Sequence, residues 1–570
     1  MMRRIICLPL LFILFVSCED PDKDIGMHSI LIDDIDPGKA TVYGVVSCDG
    51  AGIAGVSVSD GMEVAVTDRD GVFRLRSQKE LGYVFVSVPG GYEVATKGIL
   101  PRFHNTLVAD KRTPERSDFA LTKVSNDKFT LIVMGDMHLA NRNNDRTEFY
   151  KFTEDVRSYM AAHPRDKIYG LTLGDMTWDL YWYSKSYCFP QYLDDMNHAS
   201  TGVDKLMVWH TIGNHDHDMD AAGDFDTEVE YVKDIAPTYY SFNLGKVHFI
   251  VLDDILCKNS GTGDRKYDEK LDAAQSSWLK KDLANVPKTT PIVVTMHAPA
   301  YHDNASNSSV TPELASNFKS FFNYFNGYPV VHLITGHTHR VLNVDNTESS
   351  NFFEHNAGAV CATWWWTQAY NKVNVGTDGA PGGYELWEVD GTSFKWQFRA
   401  TKEDPSFQFR SYDLNNVCFD ATTVVSYLPG GSAWAREEFA RRYGARFPKS
   451  SSNKVLLNVW GYDPKWTIKV TEKAGSGDKA LTVKRIKTYD PLHIIAMSAV
   501  RFNSPDLSAS NTPDFTSSLT THMFEVQASS PSTTLEIEVR DEFGNVSRET
   551  MARPKAFTID NYKTNYSNTY

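Results

Sequence analysis

A chain of 570 residues exceeds what one hydrophobic core holds, and its length implies roughly three or four domains. A hydrophobic fraction of 42% and a charged fraction of 23% are those of globular protein and exclude a disordered or collagen-like chain. The formal charge of −14 argues against a surface that condenses on nucleic acid through phosphate contacts, while leaving room for a local basic pocket.

The chain opens with "MMRRIICLPLLFILFVSC", two arginines followed by an apolar run from Ile5 to Val16. That run is too short to span a membrane comfortably and fits the core of a signal peptide. Its end, "FVSC", is similar to the bacterial lipoprotein box, which implies cleavage after a leader over 1–18 with Cys18 acylated. Ordinary cleavage and a retained anchor are the alternatives. Several acyl chains would hold the protein on a membrane, at the outer membrane or cell surface of a Gram-negative bacterium. Residues 19–37 read as a polar, acidic linker whose "EDPDKD" resembles the surface-export tags of bacterial lipoproteins. The five cysteines beyond the leader show no CxxC spacing and read as buried small hydrophobes.

From 38 to 124, β-branched strands separated by "DG" turns predict a β-sandwich similar to carboxypeptidase-regulatory-like modules. Asp68 and Asp70 of "TDRDG" read as turn residues rather than calcium ligands. Between 127 and 400 apolar strands alternate with amphipathic helices, predicting an α/β domain. Phe149, Phe152, Val156, Tyr159 and Met160 fall on one helical face, and Trp278, Leu279 and Leu283 on another. Strands return over 405–560, where "TTLEIEVRDEFGN" alternates Leu535, Ile537 and Val539 inward, and 561–570 reads as a loose tail.

Five times in the middle domain an apolar run ends in metal-type residues: "LIVMGDMH", "IYGLTLGD", "VWHTIGNHD", "PIVVTMHAP" and "VVHLITGHTH". Ligands collect at the carboxyl ends of strands in such sheets, and the glycines let backbone turn sharply beside an ion. Taken singly each cluster is an ordinary turn or a hydrogen-bonded histidine. Together and in this order the series GDxH, GD, GNHD, H, GHxH resembles that of the calcineurin-like metallophosphoesterases, in a bacterial exported subgroup with N- and C-terminal β-domains. "YYSFNLGKVHFIVLDD" and "QSSWLKKDL" look like segments of bacterial members.

The resemblance implies a multidomain chain: a phosphoesterase domain of two mixed sheets packed face to face with helices outside, flanked by two β-sandwich-like domains. It implies that Asp136, His138 and His339 bind one metal, that Asn214, His297 and His337 bind a second, and that Asp175 bridges both. His215 would not be a ligand but the general acid beside the leaving group, or a hydrogen-bond donor to the transition state, with Asp216 orienting its loop or fixing an imidazole. Imidazole, amide and carboxylate donors without thiolate suit manganese, zinc or iron, and two ions about 3.5–4 Å apart can acidify a shared water. His217, Asp218 and Asp220 read as a solvated acidic loop.

Trp178 stands where purple acid phosphatases carry a tyrosine, so no tyrosinate-bound ferric ion is expected, and "GDMTWD" replaces the usual GDxVD around Thr177 and Asp179. Arg142, Arg340, Trp365 and Tyr384 are candidates for substrate contact through charge or an aromatic face. The expected activity is hydrolysis of a phosphate mono- or diester, on a phosphorylated small molecule, a lipid head group or a glycan. Two rivals stay open at this point: a surface scaffold for glycan or partner with a vestigial site, and a nuclease of the same chemistry.

Overall fold

The computed structural model describes residues 36, 38–474 and 477–563; the expected leader, nearly all of the linker, and 564–570 of the tail lie outside it. The central strands are β1 (Lys128–Met134), β2 (Ile168–Thr172), β3 (Met207–Trp209), β4 (Tyr240–Leu244), β5 (Val247–Val251), β6 (Ile292–Thr295), β7 (Val331–Thr335), β8 (Val341–Asn346), β9 (Phe352–Ala357), β10 (Gly383–Asp390) and β11 (Ser393–Ala400). One sheet runs β3-β2-β1-β10-β11, parallel across the first three and antiparallel beyond. The other runs β4-β5-β6-β7-β9-β8, parallel from β5 to β9 with antiparallel edges.

Strands covered on both faces must be apolar throughout, and Ile132, Val133, Val294, Leu333 and Ile334 are all fully buried. Rings join the sheets face to face: Trp209 stacks on Phe242 at 3.8 Å, and His355 meets Trp387 at 4.6 Å. Helix α1 (Asp145–Ala162) buries Phe149, Phe152 and Val156, as its period predicts. Helix α2 (Ala273–Leu283) buries Trp278 and Leu279 and starts at Asp272, whose carboxylate accepts from Gln275 N at 2.6 Å.

Residues 42–123 form three further sheets: one organised on Val42–Cys48, one built of Val64–Val66, Ser57–Ser59, Tyr83–Val86 and His104–Thr106, and a two-stranded pair of Thr96–Lys97 with Leu100–Pro101. They join the central core, with the Phe103 ring 4.5 Å from Tyr240 and Trp278 Nε1 donating to Ser59 Oγ at 3.1 Å. Asp68 accepts from the Asp70 and Val72 amides, so "TDRDG" is a turn closed by its own side chain.

Beyond 405 two four-stranded sheets carry the expected alternation, with Leu535, Ile537 and Val539 buried. This region also holds helices, among them Ala433–Phe439 and Ala499–Phe502, which pack a core around Phe439, Tyr443 and Phe502 that strand alternation could not announce. The expected loose tail begins too early, because Tyr562 lies 5.4 Å from Tyr412 in a short helix, Ile559–Tyr562. Cys48, Cys188 and Cys418 are only half-buried, against the expectation of burial, and the five described cysteines are unpaired. Among the described residues no helix is long and apolar enough to cross a membrane.

Candidate metal centre

The five motif loops leave neighbouring strand ends: Asp136 and His138 follow β1, Asp175 follows β2, Asn214 follows β3, His297 follows β6, and His337 and His339 follow β7. Parallel pairing of β1-β2-β3 and of β6-β7 puts these carboxyl ends on one edge of the domain. The turns are sharp. Asp136, His138, Asp175, His337 and His339 have φ of 50°, 45°, 52°, 65° and 54°, left-handed values that cost a non-glycine residue on the order of 1–3 kcal/mol each. Such cost survives where the surroundings impose it. Gly174 and Gly213 allow the crowding, since a Cβ on Gly213 would stand 2.4 Å from Asp175 Oδ1, and one on Gly174 2.6 Å from Gly213 N.

Two donor sets result. In the first, His138 Nε2 lies 2.8 Å from His339 Nε2, and His339 Nε2 lies 3.3 Å from Asp136 Oδ1. In the second, Asn214 Oδ1 lies 3.0 Å from His297 Nε2 and 2.9 Å from His337 Nδ1, with those two nitrogens 3.1 Å apart. Asp175 Oδ2 stands between the sets, 3.4 Å from His138 Nε2 and 3.3 Å from His297 Nε2. Donors about 2.0–2.2 Å from one ion are themselves about 2.9–3.5 Å apart, so both sets fit a first-row divalent cation. All seven expected ligands are therefore brought together, with His337 contributing Nδ1 rather than Nε2.

The surroundings orient these donors. His297 Nδ1 lies 2.7 Å from Leu173 O and His339 Nδ1 lies 3.1 Å from Ala362 O; a carbonyl only accepts, so in the neutral, metal-binding form of each ring Nε2 carries the lone pair. The His337 amide donates to Asp136, and the His215 amide donates to Asp175 Oδ1 at 2.7 Å. Burial works against the Asp175 carboxylate, yet the imidazoles of His297, His215 and His138 hold its pKa well below the usual range. Asp216 accepts from the amides of Gly213, Met176 and Thr177, tying the GNHD loop to the GD loop. Asp254 does the same for His297 and Ala298.

Models of the calcineurin-like phosphoesterase match the chain in three consecutive stretches: the N-terminal domain at 40–124, the phosphoesterase itself at 129–341 and the C-terminal domain at 354–546. The chain belongs to the calcineurin-like phosphoesterase family. It is a phosphoester hydrolase with clustered histidine and aspartate side chains able to bind metal. No curated protein matches it. Among solved structures, the phosphoesterase is similar to the GAP50 anchor of the Plasmodium inner membrane complex, at 13% identity and TM-score 0.30 over 48% of this chain and 85% of that one. It is also similar to a 5'-nucleotidase from Candida albicans, at 12% identity and TM-score 0.28 over 74% and 90%. NAD nucleotidase of Haemophilus influenzae matches at 11% identity and TM-score 0.28 over 48% and 50%. Scores this low carry no argument about the substrate of this phosphoesterase.

His215 sits beside the first donor set, its ring 4.9 Å from that of His138. Its Nδ1 lies 2.8 Å from Asp179 Oδ1, and Asp179 also receives Arg265 through Nε at 2.9 Å and Nη2. The sequence offered no sign of Arg265, which lies in "TGDRKYD" far from any motif. Asp179 was visible only as a departure in the GD loop.

The expected substrate contacts are corrected. Trp365 is 3% exposed and its Nε1 donates to Met137 O at 2.7 Å. Tyr384 is 1% exposed, with its hydroxyl on Asp155. Alternation along a strand fails here because Trp364 and Trp365 have φ of 49° and 64° and lead into the helix Trp366–Asn371. The half-buried Trp364 is the tryptophan at the site, stacked on His339 at 4.0 Å and met edge-on by Phe515 of the C-terminal domain at 4.5 Å. Arg340 pairs with Asp303 at 2.9 Å and is engaged by the protein itself, whereas Arg142 lies over Trp178 at 4.1 Å and Trp366 at 5.0 Å with its Nε and Nη2 buried and without a hydrogen-bond partner.

Proposed function

We propose that the two donor sets hold two divalent transition-metal ions, of manganese, zinc or iron, and that the chain hydrolyses a phosphate ester of a small molecule there. The observation that carries this reading is the place of Asp175, whose single oxygen Oδ2 is within ligand–ligand distance of an imidazole from each set. The donor chemistry fits, with four imidazoles, two carboxylates and one amide oxygen and no thiolate. Bound there, the ions would acidify a shared water and offset charge on the phosphoryl group.

The rest is the work of the chain. Asp136, His138 and His339 would hold one ion, Asn214, His297 and His337 the other, and Asp175 both. Peptide amides on Asp136 and Asp175 keep those carboxylates from turning away. Asp179 accepts from His215 Nδ1 and is itself fixed by Arg265, which orients the ring so that, as the imidazolium, it presents its second proton on Nε2 to the departing oxygen and is left neutral. Trp364 offers a flat wall beside His339 for an apolar or aromatic leaving group.

The test is a panel of an aryl phosphate monoester, an aryl phosphate diester and a head-group phospholipid, each assayed with added manganese or zinc. Metal-dependent hydrolysis that Asp175→Asn abolishes is the expected result. Metal-loaded protein inert on all three would sink the reading. The leader and the "FVSC" cysteine extend the proposal to an exported, lipid-anchored enzyme, and labelled palmitate incorporated by the wild type but not by Cys18→Ala is the outcome it requires.

A further inference from the structure

His217 contradicts the expectation of a solvated acidic loop, because it is 1% exposed. Its Nδ1 lies 2.9 Å from Gly213 O and must carry the proton, so in the neutral ring the lone pair is on Nε2. That Nε2 is buried and has no hydrogen-bond partner. Its nearest carboxylate oxygen, Asp253 Oδ2, is 3.8 Å away, too far for a hydrogen bond.

Two groups of donor atoms close on this ring. Those of His217, Asp224 and Cys257 all lie within 4.8 Å of one another, and so do those of His217, Glu228 and Asp253. Cys257 is 4% exposed and unpaired. Three carboxylates and a thiol thus face one imidazole in a largely dry setting. A bound cation would offset the carboxylates gathered there. The tautomer is also the one a ligating histidine has, with its second nitrogen donating to a backbone carbonyl.

We propose that His217 Nε2, Cys257 Sγ and the carboxylates of Asp224, Asp253 and Glu228 form a third divalent-cation site, separate from the paired centre and selective for zinc. Sulfur beside imidazole and carboxylate favours zinc over magnesium, calcium or manganese. Three stretches of chain meet there: the loop after the GNHD motif, the segment ahead of the helix Val229–Asp234, and residues 253–257, which end in the strand Ile255–Cys257. Cys257 pairs with Tyr267, two residues beyond Arg265, while His217 is two residues beyond His215. The ion therefore staples together the two arms that meet at Asp179 and positions His215 without touching substrate.

The paired centre contains no sulfur donor, so cobalt substitution separates the two sites whatever the first one does. Protein saturated with cobalt(II) should show a thiolate-to-cobalt charge-transfer band in the near ultraviolet, and zinc-loaded protein should hold one equivalent that Cys257→Ser and His217→Ala both lose. Asp224→Asn, at a half-buried position, should keep the band but weaken zinc binding at least about tenfold. Wild-type protein without such a band overturns the proposal with no reference to any variant, and so does a band that survives Cys257→Ser. If the site is a staple, Cys257→Ser also lowers kcat while KM holds.

Discussion

His138 and His339 face each other through their Nε2 atoms at 2.8 Å, although 201 positions separate them in the chain. His339 donates through Nδ1 to Ala362 O, so its neutral ring presents a lone pair on Nε2, and His138 Nε2 presents another when that ring is neutral with its proton on Nδ1. With both rings neutral the two lone pairs point at one place beside Asp136 Oδ1, the arrangement of two ligands on one ion.

His339 serves one donor set and Asp175 serves both, so their loss should read differently in a metal count. His339→Ala is expected to retain one of two ions at the paired centre. Asp175→Asn should weaken both and reduce turnover by at least about a hundredfold. Elemental analysis after dialysis makes the comparison, and an equal loss in the two variants would break the assignment of Asp175 as the shared residue.

His215→Ala should keep its metal and lose about 10²–10⁴ in kcat, most with alkyl esters whose departing oxygen needs the proton and least with a nitrophenyl ester. Asp179→Asn should share that leaving-group pattern at smaller amplitude, because the imidazole is still present but no longer held by a carboxylate. A uniform loss across leaving groups would place His215 outside proton transfer.

Trp364 and Trp365 are adjacent in sequence and opposite in consequence. Trp365→Phe leaves Met137 O unpaired in the interior and should cost about 1–3 kcal/mol of stability with turnover per bound metal unchanged. Trp364→Ala should raise KM for aryl esters with a small change in melting temperature. Thermal unfolding and steady-state kinetics on the two variants decide it.

Burial pushes the Glu385 carboxyl up to about 7, with Trp387 Nε1 donating to it at 2.8 Å. The folded chain therefore keeps a proton that the unfolded chain releases near pH 4.3. Stability from this group is full below about pH 4.3, falls as pH rises towards 7 and levels above it, by on the order of 3 kcal/mol in all. Glu385→Gln keeps an acceptor for Trp387 and should lose less stability than the wild type between about pH 5 and about pH 8. Parallel melting-temperature profiles would remove Glu385 as the cause.

Local pattern determined a good deal of this protein. The helical period placed Phe149, Phe152 and Val156 inward on α1, the two-residue period did the same for Leu535, Ile537 and Val539, and five strand-end motifs named seven side chains that now stand together. Those signals are legible because each rests on neighbours in sequence: backbone periodicity for the core, and a glycine next to a donor for the site. Tertiary packing alone decided the rest. Arg265 reaches Asp179 across 86 positions, His217 turns from a surface loop into a dry pocket with Cys257, and Trp364 rather than Trp365 meets His339. None of these has a sequence period, because each is fixed by which strand ends and loops the two sheets bring together, and by left-handed turns that cancel the alternation a strand would have imposed.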